Sequence, residues 1–499
     1  MTFAAVQSRT IVGVNTSPVR IEVHLSRGLP SFTMVGLPEK AVKESKDRVR
    51  SALLNAGFEF PTKRIVVNLS PADLPKEGGR FDLPIALGIL IASGQLAQQV
   101  LLGYECTGEL TLDGKLLAVP GILPIALAVQ KTGCALLVPE DNVPEASLVQ
   151  SLQVFGAGTL LAICHHLQGV ASISPSSIQP VVCKSNHYLD MKAVKGQEQA
   201  RRVLEIAASG GHSLLLRGPP GAGKSMLASR LPGLLSPMTE KEAEQTAAIY
   251  SISQYGFQWD QWLQRPFRAP HHTASCAALV GGGNPPRPGE ISLAHHGVLF
   301  LDELPEFQRP ALEALREPLE VGSVSIARAS RCVEFPARFQ LVVAMNPCPC
   351  GYASDDQVVC QCGVEQIRRY QMKLSGPLMD RLDLHMDVPR LQPKDLLGHI
   401  EEEPESSEVI RERVIEAQMR QLHRNNALNA RMNEEQLSSS CRMNDAVKTI
   451  LEQAMQLQRF SGRAINRLLS VARTIADMSG VDAIAEPHVL EALSYRAIS

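Results

Sequence analysis

The sequence lacks a strong net charge. Its 499 residues include 49 Lys and Arg against 51 Asp and Glu, which leaves a formal net charge of −2 at pH 7. A protein that coats nucleic acid over its whole surface needs a large basic excess, so this composition excludes that class. Any contact with DNA or RNA has to come from a local basic patch.

Long apolar runs and a secretory leader are also missing. No segment reaches the ~18 apolar residues that a membrane span needs, and Phe81–Ser93 is interrupted and too short. The first residues lack a charged stretch followed by an apolar one, so we expect no signal peptide. The cysteine count, 11, is odd and most of these residues are scattered, which favours free thiols in a reducing compartment. We therefore expect a cytoplasmic protein without a membrane partner.

Three patterns follow one another along the chain, and together they predict an α/β fold. Residues 1–168 alternate short β-type runs with helices, and residues 169–188 are rich in Ser and Pro, which predicts a linker. Residues 189–392 alternate helices with apolar strands around a glycine loop, which is typical of a parallel α/β sheet. Residues 393–499 have apolar residues at helical spacing and predict a helical domain.

Individual elements are predicted most clearly in the first part. Arg64–Ser70 and Cys134–Glu140 are short apolar runs that predict strands. Glu39–Gly57 has the periodicity of an amphipathic helix. The sequence contains no internal repeats.

A phosphate-binding loop is the strongest motif. The segment GPPGAGKS matches the P-loop pattern in full, at Gly218, Pro219, Pro220, Gly221, Ala222, Gly223, Lys224 and Ser225. It follows the apolar strand Ser213–Arg217 and leads into a helix, so the loop's backbone N–H groups can cradle phosphate. We expect Lys224 to reach the β- and γ-phosphates of ATP, and the Ser225 hydroxyl to ligate Mg²⁺.

Polar residues end two further apolar strands. Gly297–Phe307 contains a strand that ends in Asp302 and Glu303, where open α/β sheets bind their ligands. We expect Asp302 to hold the Mg²⁺ shell and Glu303 to activate the attacking water as a general base. A third strand ends in Asn346, which can orient the same water; the alternative is an ordinary turn residue before proline.

Four arginines are candidate anion-binding residues. Ser323–Phe335 predicts a hairpin that carries Arg328 and Arg331 at its tip, either as solvated charges or as a grip on an anionic partner. Arg381 lies between two aspartates, where it can act as an arginine finger or form a surface salt bridge, and the residues alone favour neither. Arg463 is a candidate phosphate sensor or an ordinary arginine at a helix start.

Together these motifs resemble the magnesium-chelatase-like branch of the AAA+ ATPases, which is related to the MCM helicases. The segments that carry the resemblance are Arg268–Ser275, Pro288–Phe307, Asn346–Gly351 and Ser375–Pro389. From end to end the chain is similar to the ComM/YifB family. The resemblance implies a homo-hexameric ring, an arginine-finger role for Arg381, and sensor roles for Arg463 and Asn346.

The resemblance also bears on the hairpin. In the related helicases a hairpin before the sensor strand points into the central channel and touches DNA through a basic residue in an I-A-K-A tip. The matching residues here are Ile326–Ala329, where Arg328 replaces lysine and so keeps the charge with a different geometry. The implied DNA contact is Arg328, helped by Arg331.

The implied function is an ATP-driven motor on single-stranded or branched DNA, a helicase or branch-migration translocase. Its role in the family would be to handle recombination intermediates when DNA is integrated during natural transformation. The alternatives are an AAA+ chaperone or unfoldase and a magnesium-chelatase-like remodelling ATPase. The chain has no part that resembles the chelatase's partner domains, and its hairpin tip is basic rather than aromatic, which favours a polyanion over a polypeptide.

The N-terminal part resembles the proteolytic domain of Lon. Asn68–Leu90 and Thr107–Ala128 carry this likeness. Lon-type proteolysis needs a serine nucleophile and a lysine base. The segment at the serine position, Gly78–Pro84, contains no serine, and the lysine position is Leu123. We therefore expect no peptidase activity.

Four cysteines form one spaced cluster in an otherwise polar loop. Their positions, with a C-x-C pair at each end, are Cys348, Cys350, Cys360 and Cys362. Four thiolates can close a tetrahedral Zn²⁺ site, although C-x-C is tighter than the usual spacing. Free thiols and a disulfide are the alternatives. The pairs His271-His272 and His295-His296 lack a paired ligand spacing, so we interpret them as structural or sensor residues near the ATPase site.

Overall fold

The computed structural model describes residues 2–36, 40–176, 188–328, 331–355, 357–391, 404–458 and 460–496. The chain divides into two compact units, Met1–Val182 with Glu244–Trp259, and Cys183–Ala243 with Asp260–Ser499. The predicted α/β class is confirmed. Among the described helices, none has both the length and the apolar character that crossing a bilayer requires.

The first unit contains a four-stranded sheet. In sheet order its strands are Phe3–Val12, Asn15–Ser26, Arg64–Ser70 and Ser31–Val35. The first three strands pair antiparallel and the last pair is parallel. A three-stranded parallel sheet follows, formed by Tyr104–Cys106, Ala135–Pro139 and Val154–Ala157. Two short strands, Glu109–Leu110 and Leu116–Leu117, complete the unit's described strands.

Helices cover these sheets. They are Lys40–Asn55, Asp82–Ala92, Ile122–Gln130, Val143–Ala146 and Leu160–Leu167. Every residue of Asp82–Ala92 is buried, because this helix is apolar on all sides after its first residue. The predicted strand Arg64–Ser70 is confirmed at both ends, and Cys134–Glu140 contains the strand Ala135–Pro139. The predicted helix Glu39–Gly57 is found as Lys40–Asn55, and Glu39 lies outside the described residues.

The second unit is built on a five-stranded sheet in which every strand is parallel to its neighbours. In sheet order the strands are Phe267–Arg268, Val298–Leu301, Gln340–Met345, Leu214–Arg217 and Leu384–Asp387. The strand that precedes Asn346 therefore lies between the P-loop strand and the strand that precedes Asp302. Because parallel strands end at one edge, this order gathers the three predicted polar segments there.

Two hairpins extend this unit. Gly281–Gly282 pairs with Arg287–Pro288, and Ser323–Arg328 pairs antiparallel with Arg331–Pro336. The predicted hairpin is confirmed, and Arg328 lies opposite Arg331 in its last described pair. The two turn residues 329 and 330 lie outside the described residues.

Helices pack around the second sheet. Those before residue 392 are Glu198–Gly210, Lys224–Ala228, Leu231–Leu234, Cys276–Val280, Glu290–Leu293, Arg309–Glu313, Arg316–Val321, Val364–Gln371 and Gly376–Met379. Glu240–Ile252 begins in the second unit and ends in the first. The later helices are Ser407–Asn425, Glu434–Ser440, Asp445–Gln458, Gly462–Met478 and Glu486–Ser494. The predicted helical character of the C-terminal part is thus confirmed.

The C-terminal helices share a core with the sheet. The side-chain amide of Gln418 donates to the Ala208 carbonyl at 2.8 Å, and that of Gln421 donates to the Ser209 carbonyl at 3.0 Å. These bonds fasten the helix Ser407–Asn425 to the helix that precedes the P-loop strand. The domain boundaries at 168, 188 and 392 stay predictions, and most of the predicted linker, residues 177–187, lies outside the described residues.

Candidate nucleotide-binding site

The P-loop joins the strand Leu214–Arg217 to the helix Lys224–Ala228 at the carboxyl edge of the sheet. Gly223 has a φ of 90°, in the left-handed region that favours glycine. A Cβ at Gly218 would lie 2.2 Å from the Val388 carbonyl oxygen, so the neighbouring strand leaves no room for a side chain. The loop's glycines are therefore required by its backbone shape as well as by the ligand that such loops bind.

Lys224 is held inside the loop by backbone and side-chain oxygens. Its Nζ donates to the Gly218 carbonyl at 2.7 Å and to the Pro219 carbonyl at 3.0 Å. Burial lowers the pKa of Lys224, while the charges of Asp302 and Glu303 act in the opposite direction. The ammonium group thus lies inside the loop, near enough to Asp302 and Glu303 for their charges to act on its pKa.

Ser225 and Asp302 meet although 76 residues separate them in the sequence. The Ser225 hydroxyl donates to Asp302 Oδ2 at 2.6 Å, and the second oxygen, Oδ1, accepts from the Glu303 backbone N–H at 2.9 Å. A hydroxyl and a carboxylate are the hard oxygen ligands that Mg²⁺ prefers, so these two side chains fit the predicted metal role.

Glu303 contacts His272, a residue that the sequence placed near the ATPase site without naming its partner. Its Oε2 lies 2.8 Å from His272 Nδ1, and its backbone has a φ of 52°, which is uncommon for a residue with a side chain. His272 follows the short strand Phe267–Arg268 by four residues, at the same sheet edge. That position after an edge strand was the signal available in the sequence. The interpretation of His272 as a residue near the ATPase site agrees with this contact.

Asn346 joins the P-loop rather than the carboxylates. Its Oδ1 accepts from Lys224 Nζ at 3.1 Å. The backbone of Asn346 is also hydrogen-bonded to the Tyr370 side chain, and burial raises the pKa of Tyr370 to about 12. Asn346 therefore links the end of the strand Gln340–Met345 directly to Lys224.

The structure brings Arg381 and Arg463 together on one carboxylate. Arg381 is 5% exposed; it donates to the Pro377 carbonyl at 2.6 Å and to Glu320 Oε1 at 2.5 Å. Arg463 lies 3.6 Å from the same Glu320 oxygen. Glu320 and Arg463 also line a cavity of about 550 Å³. Within the described part of the chain, neither arginine contacts Lys224, Ser225 or the two carboxylates.

The salt-bridge alternative for Arg381, which was weighed evenly against the finger role, named Asp380 or Asp383 as the partner, and the partner is instead Glu320. Asp383 accepts from the backbone N–H of Ser213 at 3.1 Å and lies 3.3 Å from His212 Nδ1. The spacing in the sequence suggested the neighbouring aspartates, whereas the fold places Glu320 against the Arg381 guanidinium.

The N-terminal unit has a structural carboxylate where Lon has its catalytic loop. Asp82 is buried; it accepts from Arg48 Nε at 2.7 Å and from the Leu110 backbone N–H at 3.2 Å. Arg80 is also buried, and burial lowers its pKa to about 10. Leu123, at the lysine position, is fully buried in the helix Ile122–Gln130. The segment Gly78–Pro84 contains no serine, and Leu123 has no titratable group.

The four cysteines converge. The Sγ atoms of Cys348, Cys350, Cys360 and Cys362 all lie within 4.8 Å of one another. Cys348 is buried and the other three are partly exposed. Hydrogen bonds from the Tyr352 and Gln361 backbones lower the pKa of the Cys350 thiol to about 6. The donor set of four thiols at this spacing fits a single tetrahedral ion.

Comparisons with known proteins agree with this geometry. The family described as "Magnesium chelatase, subunit ChlI" matches residues 190–396. The families described as "Subunit ChlI of Mg-chelatase" and "Magnesium chelatase, subunit ChlI C-terminal" match residues 21–142 and 404–496. Sheet order, P-loop and family matches define a magnesium-chelatase-like AAA+ ATPase, a class that uses ATP with Mg²⁺.

Relatives that match this chain over its whole length show which family it belongs to. The chain is 50% identical to the competence protein ComM of Haemophilus influenzae, across 100% of this chain and 98% of that protein. It is 48% identical to YifB of Escherichia coli over the same shares. The chain belongs to the ComM/YifB family. A Lon protease of Leptospira interrogans is 28% identical over 133 residues, which are 26% of this chain and 16% of that protease.

Proposed function

We propose that this ATPase is a DNA motor, a helicase or branch-migration translocase that works as a homo-hexameric ring. The observation that carries this proposal is the hairpin Ser323–Pro336, whose last described pair is Arg328 and Arg331. The hairpin lies in the chain between the strands that precede Asp302 and Asn346. The hairpin is thus connected along the chain to two strands of the nucleotide site.

The residues of the nucleotide site have distinct roles in this proposal. Lys224 holds the phosphates and Asn346 couples that lysine to the sensor strand, as their 3.1 Å contact suggests. Ser225 and Asp302 would hold Mg²⁺, which neutralises charge on the phosphate oxygens. Glu303 takes the proton of the attacking water as general base. Its contact with His272 holds the carboxylate near the sheet edge until the water is in place.

Arg381 and Arg463 would complete the site of a neighbouring subunit. Arginine can stabilise the charge that develops on a transferring phosphoryl group. The contact of Arg381 with Glu320 would then have to open, since the guanidinium is 5% exposed in one chain. We propose that Arg381 is the finger and Arg463 a phosphate sensor.

The DNA contact is proposed to be with phosphate and not with bases. Contacts of arginine with phosphate carry no sequence information, so the substrate would be recognised by its structure. The Haemophilus influenzae relative is named a competence protein. We propose that this chain likewise acts during natural transformation. It would work in the cytoplasm on recombination intermediates.

The first unit is proposed to be a scaffold rather than a protease. The segment Gly78–Pro84 contains no serine, and the lysine position holds the buried Leu123, which supports this proposal. We retain three domains as part of the proposal: 1–168, 189–392 and 393–499, with a linker at 169–188. Cleavage of casein in the presence of ATP would refute the scaffold role.

A magnesium-chelatase-like remodelling ATPase or unfoldase is the second candidate, favoured by the family matches to chelatase subunits. ATP hydrolysis measured with single-stranded DNA, forked DNA or unfolded casein separates the two. The DNA motor requires faster hydrolysis with DNA than with casein. An equal response to DNA and casein would favour the remodelling ATPase, and no response to DNA would refute the motor.

A further inference from the structure

The four-cysteine cluster is positioned like a closed metal site. Cys348 Sγ lies 3.3 Å from Cys350 Sγ and 3.7 Å from Cys360 Sγ, and the last two sulfurs are 3.5 Å apart. A tetrahedral ion with metal–sulfur bonds of about 2.3 Å holds its sulfurs about 3.8 Å apart. Disulfide sulfurs lie about 2.0 Å apart, so the cluster has the spacing of a metal centre.

The surroundings of the sulfurs match this interpretation. Backbone N–H groups of Tyr352 and Gln361 donate to Cys350. Such hydrogen bonds stabilise thiolates that ligate a metal. Among the residues that the structure describes, these cysteines are the one group of three or more metal-binding side chains that converge in this way. We propose that they bind one structural Zn²⁺ ion per chain.

The loop between the cysteines has little else to hold it. The side chain of Val359 is 86% exposed, so it adds little apolar packing to the loop. Asp355 forms an ion pair with Arg390 at 3.1 Å, which fastens one point of the loop. A zinc ion bound by all four thiolates would close both ends of the loop at once.

The cluster adjoins the nucleotide site. Cys348 follows Asn346 by two residues, and Asn346 contacts Lys224. A Cβ at Gly351 would lie 2.5 Å from Pro220 Cδ, so the cysteine loop packs directly on the P-loop. The zinc ion therefore holds the surface that supports the P-loop. The expected effect of zinc on ATP binding rests on the proposed nucleotide site. The zinc site itself does not depend on the proposed DNA motor.

Metal content tests the site. Full-length protein purified without chelator should contain one zinc per chain by mass spectrometry, with four sulfur neighbours at about 2.3 Å by X-ray absorption. Cys348→Ser and Cys360→Ser should lose the zinc, and Cys134→Ser, in the first unit, should keep it. Protein without zinc, protein with iron instead, or a Cys348→Ser variant with full zinc would overturn the proposal.

A titration of the unmodified protein tests the zinc site even if the cysteine variants fail to fold. Titration of the unmodified protein with a thiol-specific mercurial should release the zinc to a chromogenic chelator as four thiols react. Release of no zinc from zinc-containing protein would place the metal elsewhere and overturn the assignment.

A glycine substitution separates zinc binding from nucleotide binding. Gly351 has a φ of 90° and no room for a Cβ, so Gly351→Ala should push the loop off Pro220 while all four thiols remain. We expect full zinc content and ATP affinity lower by about tenfold. Gly363→Ala, where a Cβ meets nothing within 4 Å, is the control. Unchanged ATP affinity in Gly351→Ala would refute the claim that the cysteine loop supports the P-loop. The zinc site would then be judged by the metal content alone.

Discussion

At the scale of single residues, the site depends on side chains that meet over long distances in the sequence. The Ser225 hydroxyl lies 2.6 Å from Asp302 Oδ2, and Lys224 Nζ lies 3.1 Å from Asn346 Oδ1. Both contacts exist because parallel strands end at one edge of the sheet. The P-loop and the two carboxylates were predictable, since each is a local pattern after an apolar strand.

Replacing Glu303 should separate ATP binding from hydrolysis. Glu303→Gln keeps the shape of the side chain and removes its ability to accept a proton. We expect ATP affinity close to that of the unmodified protein and a turnover lower by about 10²–10⁴-fold, the usual value of general base catalysis. Nucleotide-binding and steady-state ATPase measurements check this, with the exposed Glu317→Gln as control. Normal hydrolysis by Glu303→Gln would refute the assignment.

His295 should make the ATPase unit less stable in acid. Burial, with the nearby charges of His296, Arg431 and Arg338, lowers the pKa of His295 to about 2, and its Nδ1 accepts the Arg338 backbone N–H at 2.9 Å. Below a pH of about 6.5, His295 is protonated in the unfolded chain but stays neutral in the folded chain. The free energy of unfolding therefore falls as the pH falls.

Substitution of His295 tests this sign. His295→Asn retains an acceptor near the Nδ1 position and removes the titrating ring. We expect the loss of stability between pH 7 and pH 5 to be smaller in this variant by about 1–2 kcal/mol. Urea unfolding at both pH values, with the exposed His24→Asn as control, measures it. An unchanged pH dependence would show that His295 takes up its proton without unfolding.

At the scale of elements, the hairpin should control the response to DNA. Arg328→Ala should abolish DNA stimulation of ATP hydrolysis, while Arg328→Lys should keep part of it because the charge remains. Each lost phosphate contact should lower the slope of log affinity against log salt by about 0.7–0.9. The exposed Arg442→Ala is a matched control outside the hairpin. Equal salt slopes in Arg328→Ala and the unmodified protein would remove Arg328 from the DNA contact.

Elements were predictable where the signal is local, and their arrangement was not. The strands Arg64–Ser70 and Gln340–Met345 are short apolar runs between turn residues, and the sequence indicated both. Sheet order is non-local: the sequence indicated that Gln340–Met345 neighbours the other strands of the site, but not that it lies between them. The same holds for the packing of Gly351 on Pro220, which depends on the loop's path and not on its composition.

At the scale of the whole molecule, Arg381 should act on a neighbouring subunit. Arg381→Ala and Lys224→Ala should each be inactive alone, because one lacks the finger and the other cannot hold phosphate. In a mixed ring, an intact nucleotide site can receive an intact finger, so mixing should restore part of the ATPase activity. A titration of one variant into the other measures this. No activity at any mixing ratio would contradict a finger supplied by a neighbour.

Movement along DNA is the most direct test of the proposed motor. Labelled forked DNA and four-way junctions, incubated with the protein and ATP, should be converted to separated or migrated products on a native gel. Glu303→Gln with ATP should give none, although it binds both ATP and DNA. ATP hydrolysis by the unmodified protein that leaves both DNA substrates unchanged would contradict the account.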